Sequence, residues 1–243
     1  MTTVKNPRFA DRTVVVTGGA GGIGRAVCEG FRAEGATTIA LDLTGGDLDV
    51  DVTDETALRE AMGDIHSRHG GPHVLVTLAG GSLGTPRDLD AFTAADVDTV
   101  LDVNVKGTLY ACRAALPHLR RERGSIVTCA SIGGRQPSPV TGIPYATAKA
   151  AIGGLTRRLA VEVGGDGVRV NAVAPGLFLT PRLRGMFDGL SDAERASVVD
   201  AIALRRMPEL DEIVAPILFL ASAEASFITG ITVDVNGGRF MPL

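Results

Sequence analysis

Along most of the chain, short apolar runs alternate with amphipathic stretches of helical length. Thr13 to Thr17 is a β-branched run with the composition of a strand. Gly22 to Glu34 carries apolar side chains at helical spacing and is closed by Gly35, and Thr37 to Leu41 reads as a second strand. Helix over Thr53 to Arg68 and strand over Val74 to Leu78 come next. Two helices follow, over Thr93 to Val103 and Val105 to Arg121, then a strand over Ser125 to Ala130. A long helix over Tyr145 to Val163, a strand over Val168 to Val173, a helix over Leu210 to Ala221 and a strand over Thr232 to Val235 complete the pattern. This alternation predicts an α/β fold, a doubly wound parallel sheet covered by helices on both faces. The rhythm breaks once, from Leu177 to Pro208, and an interruption of that length in a compact domain predicts a binding loop or lid.

The 243 residues contain no internal repeat, low-complexity segment or linker, so one domain spanning residues 1–243 is expected. Glycine is abundant, at 31 residues, and gathers at turns after apolar strands, where backbone can approach a ligand closely. With 24 basic and 28 acidic residues mixed along the chain, the net charge of −4 offers no basic stripe for nucleic acid. Met1 to Arg12 lacks the apolar core of a signal peptide, and no apolar run suffices to span a bilayer, so a cytoplasmic protein without membrane partners is expected.

Metal sites are not expected. Cys28, Cys112 and Cys129 are far apart and read as buried free thiols of a reducing compartment. His66, His69 and His73 read as surface residues at a helix end, because Gly70-Gly71-Pro72 breaks any helix between the last two. Asp47, Asp49 and Asp51 alternate as in a calcium loop, but Val52 stands where that loop needs glycine and Leu58 where it needs glutamate.

Two places carry chemistry. The first is Thr17-Gly18-Gly19-Ala20-Gly21-Gly22-Ile23-Gly24, between the first strand and the first helix. Such a turn lets a pyrophosphate rest on the helix N-terminus, where free amides and the helix dipole favour anions. Two registers fit: Gly19, Gly21 and Gly24 match the general dinucleotide fingerprint, and Gly18, Gly22 and Gly24 give a four-then-two spacing. Asp42 ends the second strand eighteen residues after Gly24, where a carboxylate accepts hydrogen bonds from the adenosine ribose. Its charge opposes a 2′-phosphate, Leu43 follows it, and no Arg or Lys lies in the turn, so NAD is favoured over NADP.

The second place is Tyr145-Ala146-Thr147-Ala148-Lys149, with Ser131 fourteen residues upstream. Spacing of four residues on a helix puts the phenol and the ammonium on one face. At about 5 Å and an effective dielectric of about 20, the ammonium favours the phenolate by roughly 3 kcal/mol, which suits the phenol to proton transfer. A hydroxyl from a neighbouring strand end can hold a substrate oxygen against it.

Taken together, these motifs resemble the short-chain dehydrogenase/reductase family, in particular its single-domain branch, over Arg12 to Gly238. Beyond the glycine turn and the Ser131, Tyr145 and Lys149 set, Asp51-Val52 is similar to the family's adenine-contacting pair. Ala79-Gly80 resembles the end of its Asn-Asn-Ala-Gly turn, although Thr77-Leu78 replaces the paired asparagines that brace the sheet. Asn104 resembles the fourth catalytic residue, and Asn171 to Gly176 followed by Phe178 and Thr180 is similar to the segment that holds the nicotinamide. Asn236 stands where relatives often have Asp.

The resemblance implies a three-layer Rossmann-type domain, an NAD cofactor and a homotetramer built on the helices over 105–121 and 145–163. It implies cofactor contacts from Gly18, Gly21, Gly22, Ile23, Gly24, Asp42, Leu43, Asp51, Val52, Leu78, Ala79, Gly80, Tyr145, Lys149, Pro175, Gly176, Phe178 and Thr180. Tyr145 would be the acid/base, Lys149 would tune it and bind the nicotinamide ribose, and Ser131 with Tyr145 would bind the substrate. Asn104 would fix a helix bend and a water linking Lys149 to solvent.

The expected reaction interconverts a secondary alcohol and a ketone by hydride transfer. Leu83, Ile132, Pro137, Leu177, Phe178, Leu183, Met186 and Phe187 suggest an apolar substrate cavity, and Arg135, Arg182 and Arg184 are the cations that could meet a substrate anion. One alternative is an NADPH-dependent β-ketoacyl-thioester reductase, whose branch the Ala203-Leu204-Arg205-Arg206 region resembles. The other is a dinucleotide-sensing regulator without turnover.

Overall fold

Seven strands form one parallel sheet in the order β3-β2-β1-β4-β5-β6-β7. The computed structural model describes residues 7–137 and 141–242, and the backbone alone of residues 181, 182 and 186. The strands are β1 (Thr13–Thr17), β2 (Thr37–Asp42), β3 (Leu48–Asp49), β4 (Val74–Thr77), β5 (Ser125–Cys129), β6 (Arg169–Pro175) and β7 (Thr232–Val235). The helices are α1 (Gly22–Ala33), α2 (Glu55–His69), α3 (Ala94–Leu101), α4 (Gly107–Glu122), α5 (Ile143–Val163), α6 (Pro181–Asp188), α7 (Asp192–Asp200) and α8 (Asp211–Ala221).

Alternation within each strand sorts its side chains onto the two faces. Val15, Leu75, Ile126 and Val170 point to one face and pack on apolar residues of α2, α4 and α5. Val14, Val16, Val74, Val76, Val127 and Val173 point to the other and pack on α1 and α8. Both faces are dry, which explains why β1 is buried at every position and reads as an unbroken β-branched run. Register is continuous across the centre, with Val15 beside Ile39 on one side and Leu75 on the other.

Several boundaries differ from expectation. β3 is a two-residue edge strand that pairs Leu48 with Leu41 and Asp49 with Asp42, and its polar sequence carries no strand periodicity. The helices expected on either side of Asn104 are one continuous rod joined by a π-helical turn over Asp102–Lys106. The break from Leu177 to Pro208 is structured by α6 and α7, and α7 opens with a capping box from Ser191 and Glu194. α2 starts after Asp54, whose side chain accepts from the amides of Thr56 and Ala57.

The histidines are not all at the surface. His73 immediately precedes β4, where its Nδ1 accepts from the Thr13 amide and its Nε2 lies 3.3 Å from Glu122. His66 stacks on His118 with ring centroids 4.6 Å apart. Cys28 and Cys112 are buried, and burial pushes their thiols up to about 11 and about 12 respectively. Cys129 is only partly buried, because it ends β5 at the mouth of the sheet.

Phe31 is fully buried on α1 and meets Phe9 edge-on at 4.8 Å, so Phe31→Ala lowers stability by roughly 3–5 kcal/mol in denaturant titration. Burial lowers the protonation of both His73 and His118 in the folded chain. The unfolded chain therefore binds protons that the folded chain does not, and stability falls as pH drops below about 6.5. Denaturation midpoints measured between neutral pH and pH ~5 give this slope, and His118→Leu makes it shallower.

Candidate active site

A parallel sheet puts the carboxyl ends of all its strands on one edge, and here that edge opens into a cavity of about 720 Å³. The strand order reverses at β1 and β4, whose following helices leave toward opposite faces, so a crevice forms between them. Every residue expected to bind cofactor lines this one cavity.

Its first wall is the glycine turn. Gly18, Gly21, Gly22, Ile23 and Gly24 face the cavity, whereas Gly19 turns away and packs on Ala40 of β2. The fold thus selects the four-then-two register. A Cβ at Gly24 would collide with the Gly18 carbonyl oxygen, so α1 can meet β1 this closely only through glycine. Gly21 caps α1 without a side chain, and no acidic residue lies in the first turn, which leaves the helix amides open to an anion.

Asp42, at the end of β2, accepts from the Ala20 amide at 3.0 Å and from the Leu43 amide at 2.8 Å. Its carboxylate thereby ties the turn to the second strand. One cation lies nearer than the sequence suggested: Arg25, in the first turn of α1, reaches back 3.3 Å to the Ala20 carbonyl. Asp51 holds the Thr53 amide and hydroxyl, each at 2.8 Å, and Asp51 and Val52 line the same end of the cavity as Asp42 and Leu43.

Leu78, Ala79 and Gly80 continue the wall beyond β4. Thr77, which replaces an expected asparagine, leaves its buried hydroxyl without a hydrogen-bond partner, so that side chain does not brace the sheet. Asn104 instead holds the loop that follows β4. Its Oδ1 accepts from the Gly81 amide at 3.0 Å, and its Nδ2 donates to the carbonyls of Gly81 and Val100, each at 2.9 Å. Asn104 is fully buried, does not line the cavity, and presses its carboxamide against Gly80.

Opposite this wall stand Ser131, Tyr145 and Lys149. Lys149 is buried on α5 and its Nζ donates 2.9 Å to the Cys129 carbonyl, 5.7 Å from the centre of the Tyr145 ring. The phenol itself is partly exposed to the cavity. The Ser131 Oγ accepts from the Gly133 amide at 3.1 Å, which leaves its own hydrogen available to a ligand oxygen. Pro175 and Gly176 at the end of β6, followed by Phe178 and Thr180, form the last wall.

Val50, Val103, Cys129 and Ala130 also line the cavity and were not anticipated, since each is brought there by strand register or helix packing and carries no motif. Of the expected apolar set, Leu83, Phe178 and Leu183 face the cavity. Ile132 is buried outside it, Leu177 lines a separate cavity of about 240 Å³, and Pro137 and Phe187 line neither. The side chains of Met186 and Arg182 lie outside the described set. Arg135 forms an ion pair with Asp234 at 2.9 Å, at angles outside hydrogen-bond geometry, and stacks on Phe240, so it does not face a substrate. Burial raises the Asp234 carboxyl despite that partner. Arg184 is exposed and does not line the cavity. Asn236 holds the C-terminal turn, with Oδ1 accepting from Gly238 and Nδ2 donating to the Phe240 carbonyl, and an aspartate would lose the second bond. Among the described residues no group of three His, Cys, Asp or Glu is placed to hold a metal ion, and no helix is long and apolar enough to cross a membrane.

Known proteins share this arrangement. A family profile described as Enoyl-(Acyl carrier protein) reductase matches residues 18–239. The chain is 34% identical to the 3-oxoacyl-[acyl-carrier-protein] reductase FabG of Thermotoga maritima, covering 95% of this chain and 98% of that protein. It is also 34% identical to the meso-2,3-butanediol dehydrogenase of Serratia marcescens, over 95% of each chain. Among solved structures, a levodione reductase superposes with a TM-score of 0.88 at 30% identity, covering 96% of this chain and 98% of that one. The aldohexose dehydrogenase of Thermoplasma acidophilum superposes with a TM-score of 0.86 at 30% identity, over 96% of each chain. The glycine turn, the Ser131, Tyr145 and Lys149 set and these full-length likenesses agree: the chain belongs to the short-chain dehydrogenase/reductase family of nicotinamide-dependent oxidoreductases.

Proposed function

We propose that the chain is an NAD-dependent oxidoreductase that interconverts a secondary alcohol and a ketone, built as one dinucleotide-binding and catalytic domain over residues 1–243. The observation that carries this reading is the convergence of the glycine turn, Asp42, Ser131, Tyr145 and Lys149 on one cavity. The site fits a dinucleotide. Open amides at the start of α1 suit a pyrophosphate, and the Asp42 carboxylate suits ribose hydroxyls. Leu43, Asp51, Val52 and Leu78 to Gly80 would flank the adenosine half, and Pro175, Gly176, Phe178 and Thr180 the nicotinamide half. When bound, the dinucleotide supplies the hydride acceptor or donor.

The remaining chemistry belongs to the chain. Ser131, with its Oγ already accepting from the Gly133 amide, donates its hydrogen to the substrate oxygen. The Tyr145 phenol takes the alcohol proton in oxidation and returns it in reduction. The Lys149 ammonium, held in place by the Cys129 carbonyl, stands 5.7 Å from the centre of the Tyr145 ring. Asn104 acts through Gly80 and Gly81, fixing the loop next to the Lys149 ammonium.

Leu83 and Leu183 give the substrate end of the cavity an apolar lining, and Lys149 is the one cation among the described residues that line it. This supports a neutral substrate with substantial apolar surface, closed in by a loop over residues 177–208. An acyl-thioester substrate is the second reading, supported by FabG of Thermotoga maritima. Against it, Arg205 and Arg206, in the region that resembles that branch, are engaged by Asp200 and Glu212. A regulator without turnover would not need Ser131, Tyr145 and Lys149 gathered around one cavity. Exposed Leu109 on α4 and Val161 on α5 support assembly into a homotetramer through those helices. A cytoplasmic location accords with the free, largely buried thiols.

A screen of NAD reduction across diverse secondary alcohols tests the activity. Tyr145→Phe lowers kcat by about 10²–10⁴-fold with folding intact, and near wild-type turnover in that variant would sink the mechanism. Cofactor choice is read from kcat/KM for NAD against NADP. The wild type prefers NAD, and Asp42→Ala shrinks that preference by about tenfold or more, equivalent to about 1.4 kcal/mol. A wild type that prefers NADPH overturns the Asp42 argument.

A further inference from the structure

We propose that Gly134 is a positioning residue that sets the spacing of Ser131, Tyr145 and Lys149, an inference that rests on the catalytic reading of those three. Ser131 ends the extended chain leaving β5, and residues Ile132–Gly134 form a single 3₁₀ turn after it. The Gly134 amide closes that turn onto the Ser131 carbonyl at 3.1 Å. The turn then meets α5 backbone to backbone. A Cβ on Gly134 would stand 2.5 Å from the Ala150 nitrogen and 2.6 Å from the Lys149 carbonyl carbon.

Those obstructing atoms are main chain within a helix, so no rotamer change can make room. The φ of Gly134 is not in the left-handed region, which leaves close approach as the reason for glycine here.

The contacts close a ring. From Gly134 the path runs across to the Lys149 backbone, along that side chain to Nζ, and 2.9 Å onward to the Cys129 carbonyl. From Cys129 two residues of chain lead to Ser131, and the turn leads back to Gly134. Ser131 and Lys149 are members of the ring, and Tyr145 lies one helical turn before Lys149 on the same rigid helix. The ring therefore sets how far the serine hydroxyl stands from the phenol, and a methyl at Gly134 opens it by moving α5 away from the serine turn. The glycine turn and Asp42 lie on other elements and do not move.

A positioning role predicts a selective defect. Gly134→Ala lowers kcat by about 100-fold, the scale expected for a displacement of about 1 Å between reacting groups. The loss in kcat exceeds any change in the Kd of NADH, because the glycine turn and Asp42 keep their places. Gly63→Ala adds the same methyl to an exposed helical position of α2 with no atom within 4 Å, and leaves kcat unchanged. Unchanged kcat in Gly134→Ala overturns the proposal, as does a parallel loss of kcat, NADH affinity and thermal midpoint. A nuclear Overhauser contact between the Gly134 α-hydrogens and the Ala150 amide hydrogen is expected in the wild type. Its absence overturns the proposal even where Gly134→Ala does not fold. A wild type without hydride transfer sinks the proposed function itself, whereas an active Gly134→Ala sinks only the positioning role.

Discussion

Parallel pairing of the strands is the constraint on which the rest depends. It sends every strand end that carries a functional residue to the same edge of the sheet, and it requires helices to return the chain across the faces. Thr17, Asp42, Thr77, Cys129 and Pro175 end five neighbouring strands, and the residues that follow them form the cavity. Where β1 and β4 send their helices to opposite faces, no element covers the edge, and a crevice is left without any residue being dedicated to making it.

Within that crevice, polar groups are held mainly by backbone. Asp42 is anchored by two amides, Lys149 by a carbonyl, Ser131 by an amide, and Asn104 by the amide and carbonyls of Gly81 and Val100. Backbone partners move less than side-chain partners, because each is fixed by its own strand or helix. The π turn over Asp102–Lys106 belongs to the same scheme: the extra residue per turn buries Asn104 with its carboxamide turned toward the loop after β4.

Relatives named for 3-oxoacyl-carrier, butanediol and aldohexose substrates are similar to this chain over nearly its whole length. Four of the arginines are paired within this chain: Arg135 with Asp234, Arg195 with Asp192, Arg205 with Asp200 and Arg206 with Glu212. Leu83, Phe178 and Leu183 give part of the cavity an apolar lining.

The sequence by itself determined the parallel sheet, its helical layers and the motif residues that line the cavity, because buried parallel strands must be apolar throughout and glycine turns leave a fixed spacing. It also determined that Tyr145 and Lys149 share a helix face. Tertiary structure alone decided the rest. It chose Gly18, Gly22 and Gly24 over the competing register by packing Gly19 on β2, a contact between segments that periodicity does not report. It paired Arg135 with Asp234 across about a hundred residues of chain, tied His73 to the Thr13 amide at the start of β1, and made β3 a strand through its neighbour rather than its own composition. Asn104 and Gly134 mark the same boundary. Their residue types are visible in the chain, but what each touches depends on where the loop after β4 and helix α5 come to rest against the sheet.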